Sequence, residues 1–92
     1  MKALEEDTKW VLGVDRRLVV IRALDTDGAF SASEVAERTG RSVQNVSRAM
    51  DEMETMGLIE CLTPEKHSWK RYILTERGKK VIHDLKGRKM IH

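Results

Sequence analysis

The chain holds one cysteine in 92 residues, Cys61, which excludes an internal disulfide and fits a reducing compartment. It holds one proline, Pro64, and neither a repeat nor a low-complexity tract, so nothing reads as a linker between domains. No apolar run approaches the roughly 20 residues needed to span a bilayer. The N-terminal MKALEEDTKW lacks the apolar stretch and cleavage site of a signal peptide, so a cytoplasmic location and no membrane partner are expected. Catalytic signatures are also missing. There is no nucleophile–base pair, no phosphate-binding loop and no paired-carboxylate arrangement, and the expectation is that this is not an enzyme. His67, His83 and His92 have no metal-ligand spacing with Cys61, so neither a metal nor any other cofactor is implied. Cys61 itself reads as a packed strand residue, with a redox or metal sensor as the rival reading.

What is present is charge, at 35% Asp, Glu, Lys and Arg, on a chain long enough for one small domain. The formal net charge is only +2, yet it is unevenly spread. Residues 1–62 carry 8 Lys/Arg against 12 Asp/Glu, and residues 63–92 carry 9 against 3. A basic C-terminal third on an acidic body is either an anion-facing surface or a solvated, charged last helix.

Glycines and hydroxyl residues divide the rest. Residues 3–12 read as a short helix. Asp15 to Leu24 reads as a second, with Leu18, Val19, Ile21 and Leu24 to one side and Asp15 as its cap. DTDG at 25–28 is a turn. Ser31 and Glu34 have capping-box spacing before a helix at about 32–39, closed by Gly40. Ser42 caps the next helix, whose Val46, Ala49, Met50 and Met53 face inward while Arg41, Gln44, Asn45, Arg48, Asp51 and Thr55 face out. Gly57 ends it. Leu58–Leu62 and Arg71–Leu74 read as strands around the loop TPEKHSWK at 63–70, and Thr75 caps a last helix to about Lys86. The fold class is therefore mainly α with a small β-hairpin (α+β), a winged helix-turn-helix in the order α-α-α-β-wing-β-α. It forms one domain over 1–92, with 1–14 as an N-terminal extension, 15–86 as the core and 87–92 as a tail.

The stretch SASEVAERTGRSVQNVSRAMDEMETMGLIECLTPEKHSWKRYILTERGKKVI resembles winged helix-turn-helix transcriptional regulators of the MarR/ArsR type, closest to small archaeal members. The matching signs are SxxEVAxxTG, SVxxVSRAMxxMxxxGLIE and RYxLTxxGKKV, covering roughly residues 31–82. DRRLVVIRAL at 15–24 is similar to the family's first core helix. The resemblance implies a recognition helix at 43–56, a wing at 63–70, and a last helix at 75–86 that packs towards the N-terminal helix and helps a homodimer form. Trp69 departs from the small or basic residues common in such wings. No effector signature is visible, so the resemblance names no small-molecule effector.

The residues themselves explain why the helix after Ser42 changes from polar and basic to acidic. Backbone N–H groups at a helix start favour phosphate. Ser42 and Ser47 add hydrogen-bonding groups without charge, although Ser47 is equally placed to pack at the helix junction. Gln44 and Asn45 suit base edges, adenine especially, and Arg48 suits guanine or a phosphate. Asp51, Glu52 and Glu54 are repelled by DNA, so the first half enters the groove of double-stranded DNA and the second stays out. In the hairpin loop Lys66, Lys70 and Arg71, with His67 and Trp69 between them, reach phosphates or an adjacent minor groove. Trp69 alternatively lies over the core, and Arg41 is a further phosphate contact. The runner-up function is a winged-helix protein–protein interaction module that does not read DNA, which calls for an apolar patch at the helix start. Leu4, Trp10, Val11 and Leu12, with Ile82, Leu85, Met90 and Ile91, exceed the evident needs of one small core and are expected to form the dimer interface.

Overall fold

The computed structural model describes residues 5–26, 28–63, 65 and 70–89. Its elements run α1 (Glu6–Leu12), α2 (Asp15–Ala23), α3 (Ala32–Thr39), α4 (Val43–Thr55), β1 (Ile59–Cys61), β2 (Tyr72–Leu74) and α5 (Glu76–Gly87). Three of the five helices begin at the hydroxyl residues expected to start them. Ser31 Oγ accepts from the Glu34 N–H at 3.2 Å, and the Ser31 N–H donates to Glu34 Oε1 at 2.9 Å, closing a capping box. Ser42 Oγ accepts from the Asn45 N–H, and Thr75 Oγ1 from the Gly78 N–H, each at 3.1 Å. The α2 start differs. Its cap is Val14, without a side-chain bond, and the Asp15 carboxylate instead accepts from Arg41. A long-range cation has drawn the carboxylate away from the local backbone.

Glycine ends α3 and α4 because the chain must turn left-handed there. Gly40 has φ 71° and Gly57 φ 78°. After α4 the Leu58 N–H donates to Met53 O at 2.9 Å and the Gly57 N–H to Glu54 O at 3.0 Å, a Schellman closure that delivers the chain directly into β1. The strands pair antiparallel, with Ile59 opposite Leu74 and Cys61 opposite Tyr72. The Leu62 N–H donates to Arg71 O at 2.8 Å, so the pairing reaches one residue beyond each strand as expected from sequence. A contact that local pattern does not reveal is the bridge between Phe30 and Tyr72, which ties the start of α3 to the hairpin.

The core is gathered between α4 and the other elements. Val46, Ala49, Met50 and Met53 are all buried, as the helical spacing requires. They share one core cluster with Val35 and Ala36 of α3, Val20 and Ile21 of α2, Leu58 and Ile59, and Val81, Ile82 and Leu85 of α5. Ile21 and Leu24 are buried as expected and Val20 joins them, while Leu18 and Val19 are half-buried. Four successive apolar residues leave the helical wheel indifferent to which of them turns inward, and packing decides. The expected dimer surface is corrected here. Val11, Ile82 and Leu85 are 0–4% exposed and belong to this single core, against which Trp10 and Leu12 also pack. A 92-residue chain has too little interior to spare such residues for a partner. Leu4, Met90 and Ile91 lie outside the described residues.

The charge asymmetry along the chain is partly offset in space. Arg77 clamps Asp7 with Nε and Nη2 at 2.6 and 2.7 Å, Lys86 meets Asp25 at 2.7 Å, and Arg88 meets Asp84 at 2.9 Å. The basic last helix therefore fastens acidic residues of α1 and the end of α2. Glu52 plays the opposite part, receiving Arg16 Nη2 at 2.8 Å and Arg17 Nε at 3.3 Å from α2.

These partners hold several carboxyls below their usual values: Arg17 and Arg16 for Glu52, Arg77 for Asp7, and Arg88 for Asp84. A carboxylate held low in the fold stabilises it above the ordinary value and loses that contribution as pH falls through the lowered one. The ordinary values are 4.5 for glutamate and 3.8 for aspartate. Thermal melts are expected to change little from pH 7 to 5 on this account and to fall below about 4.5. Glu52→Gln should melt lower at pH 7 and show a shallower acid decline. An equal decline in both proteins would remove Glu52 from this role.

Candidate nucleic-acid interface

The outer surface of the α4 start is uncharged apart from one arginine. Ser42, Val43, Gln44 and Arg48 are exposed, Ser47 is half-buried, and the first turn carries no acidic side chain. Four helical steps of 100° bring Arg48 to within about 40° of Gln44, on the face opposite the core stripe. Arg48 forms no ion pair with any described residue, so its guanidinium is available for an incoming acceptor. Further along, Asp51 and Glu54 are exposed and Glu52 is turned to α2. The polarity change along this helix is thus a change between an unpaired, cation-bearing start and an acidic end.

Asn45 is placed differently from the expectation. It is half-buried, and its Oδ1 is buried without a hydrogen-bond partner. One end of the amide faces the protein, so the side chain does not present both groups to a base edge. Its position two steps of 100° from Val43 moves it towards the flank occupied by Glu52 and α2, which explains the burial. Arg41 also departs from a free phosphate contact, because it is ion-paired with Asp15 at the start of α2.

In the hairpin, Lys70 is exposed and without an ion pair among the described residues. Lys66, His67 and Trp69 lie outside the described residues. Arg71 is corrected from wing contact to brace. Its Nη1 donates to Ala29 O and pairs with Glu34 Oε1, both at 3.0 Å. It holds the hairpin base against the same capping box that starts α3, beside the Phe30–Tyr72 bridge. Arg71→Ala is expected to cost about 1 kcal/mol, within the range for a partly exposed charged hydrogen bond. That corresponds to a melting temperature lower by about 4–8 °C for a chain this size. Lys70→Ala should melt with the wild type, and equal melting of all three proteins would exclude the brace.

Two exposed features were missed from sequence. Arg38 stacks over the Phe30 ring at 4.8 Å. Val43, an apolar residue, is 47% exposed beside Gln44. At 100° per residue Val43 falls about 20° from Met50, on the inward side of the helix, so helical period gave no signal of its exposure.

The HVO_A0114 family model matches residues 14–77. Among curated proteins, none matches the chain. A MarR family transcription regulator of solved structure is 28% identical with a TM-score of 0.76, over 92% of this chain and 58% of that one. A MarR family regulator from Neisseria meningitidis is 27% identical with a TM-score of 0.70, over 91% of this chain and 62% of that one. This chain thus spans about three-fifths of the length of those regulators. TubR from Bacillus thuringiensis serovar israelensis, solved bound to 24 bp of tubC, shares the fold at 18% identity and a TM-score of 0.78, covering 96% of this chain and 99% of TubR. That match takes in the helix pair, the hairpin and the flanking helices alike, and the chain belongs to the HVO_A0114 family, with the winged helix-turn-helix fold of MarR-type regulators.

Proposed function

We propose that this protein is a transcriptional regulator that binds double-stranded DNA sequence-specifically as a homodimer, α4 in the major groove and the hairpin loop on the backbone or minor groove. It acts by binding and not by catalysis. The observation that carries this reading is the α4 start, where exposed Gln44 and Arg48, without an ion pair among the described residues, stand on a helix N-terminus free of acids. The likeness to MarR family regulators supports it. A protein-interaction module would call for an apolar patch at this surface. The large apolar side chains exposed among the described residues, Val43 and Leu62, instead stand on separate elements. Dimerisation follows from the small number of base pairs one helix start can reach, since two-fold pairing doubles the contacts and sets half-sites one helical turn apart.

The test is selection from random double-stranded oligonucleotides, followed by titration across salt. Arg41 and Arg71 are engaged within the fold, which leaves Arg48, Lys66 and Lys70 as phosphate contacts. At a slope of −0.9 per phosphate, log K against log salt should fall with a slope of about −3 per subunit and about −5 for a dimer. Recovery of no preferred sequence, with a slope near zero, would reject DNA binding in favour of the interaction module. Light scattering at tens of micromolar should show a dimer, and a monomer there would reject that part of the proposal.

A further inference from the structure

Val43 is the first helical residue of α4 and is 47% exposed, although Val46, one turn on, is 0% exposed. A lone exposed valine is ordinary on a protein surface. This one is set between exposed Ser42 and Gln44, on the turn that carries no acid, one helical step of about 100° from Gln44. Its branched Cβ restricts χ1 in a helix, so its two methyl groups are held in a fixed direction before any partner arrives. In the major groove the apolar group available to such a side chain is the C5-methyl of thymine. We infer that Val43 reads a thymine methyl group, on a base pair next to the one met by Gln44. The inference rests on the DNA-binding reading and adds to it a specified base.

Substitution of deoxyuridine for thymidine removes that methyl and leaves every hydrogen-bonding group of the base in place. Each thymine of the selected site is replaced in turn, and each DNA is titrated with wild type, Val43→Ala and Gln44→Ala. At one thymine per half-site, uracil should weaken wild-type binding about fourfold, the worth of one buried methyl-sized group. Val43→Ala should bind thymine and uracil DNA there equally. Gln44→Ala should bind both more weakly yet keep the ratio between them. Val43→Ala should also melt with the wild type, because the side chain lies outside the core. If no position separates wild type from Val43→Ala while the selected site is still preferred over scrambled DNA, this inference is overturned and DNA reading stands. If no site is preferred at all, both fall together.

Discussion

Gly78→Ala is expected to unfold much of the population at moderate temperature, although it adds one methyl group. A Cβ at this position would lie 2.1 Å from Leu58 O, with the Leu58 carbonyl carbon at 3.1 Å and Leu74 Cδ2 at 3.2 Å. The nearest obstacle is backbone, and it is backbone under constraint. The Thr75 N–H donates to the same Leu58 O at 3.0 Å, and Leu58 is 0% exposed at the close of α4. Relief would need α5 to slide away from the Leu58 backbone, pulling Val81, Ile82 and Leu85 out of the core. Overpacking of a tight site costs about 1–3 kcal/mol and more where backbone must move. A cost of about 3 kcal/mol lowers the melting temperature by roughly 12–24 °C for a chain of this length. Gly87→Ala is the matched control in the same helix, since nothing lies within 4 Å of the Cβ it would acquire. Melting of Gly78→Ala within a few degrees of the control would mean that α5 is not pressed against the Leu58 backbone.

The second large effect separates reading from grip. Gln44 is uncharged, so its worth to DNA is hydrogen bonding to a base edge. Gln44→Ala should cost about 1–3 kcal/mol on the selected site and little on scrambled DNA. Lys70→Ala should weaken both DNAs alike and flatten the salt slope by about one unit for each phosphate the lysine had neutralised. Asn45→Ala should disturb discrimination less than Gln44→Ala does, because its Oδ1 is already turned into the protein and unpartnered. Removing an unpaired buried polar group leaves folding unharmed or slightly improved. Parallel titration of the two DNAs, with melts as a folding control, decides the matter. Intact discrimination in Gln44→Ala would remove α4 as the reader, whatever the affinity.

Much of this protein was legible in its sequence because it depends on neighbours a few residues apart. A serine three residues before a glutamate has the spacing of a capping box, and Ser31 with Glu34 forms one. Glycines at 40 and 57 supply positive φ where helices must stop. The stripe Val46, Ala49, Met50 and Met53 is fixed by 3.6 residues per turn, and its opposite face with Gln44 and Arg48 follows from it. What tertiary structure decided was partnership between residues far apart in the chain. Arg77 and Asp7 are separated by 70 positions and Arg41 and Asp15 by 26, and no spacing rule announces either pair. Packing, too, assigned Val11, Ile82 and Leu85 to one core and turned Arg71 into a brace on Ala29 and Glu34. It placed half of the Asn45 amide against protein as well. Local hydrogen bonds and helical period are written residue by residue, whereas a cation's partner and a side chain's burial depend on which surfaces the folded chain brings within a few ångströms.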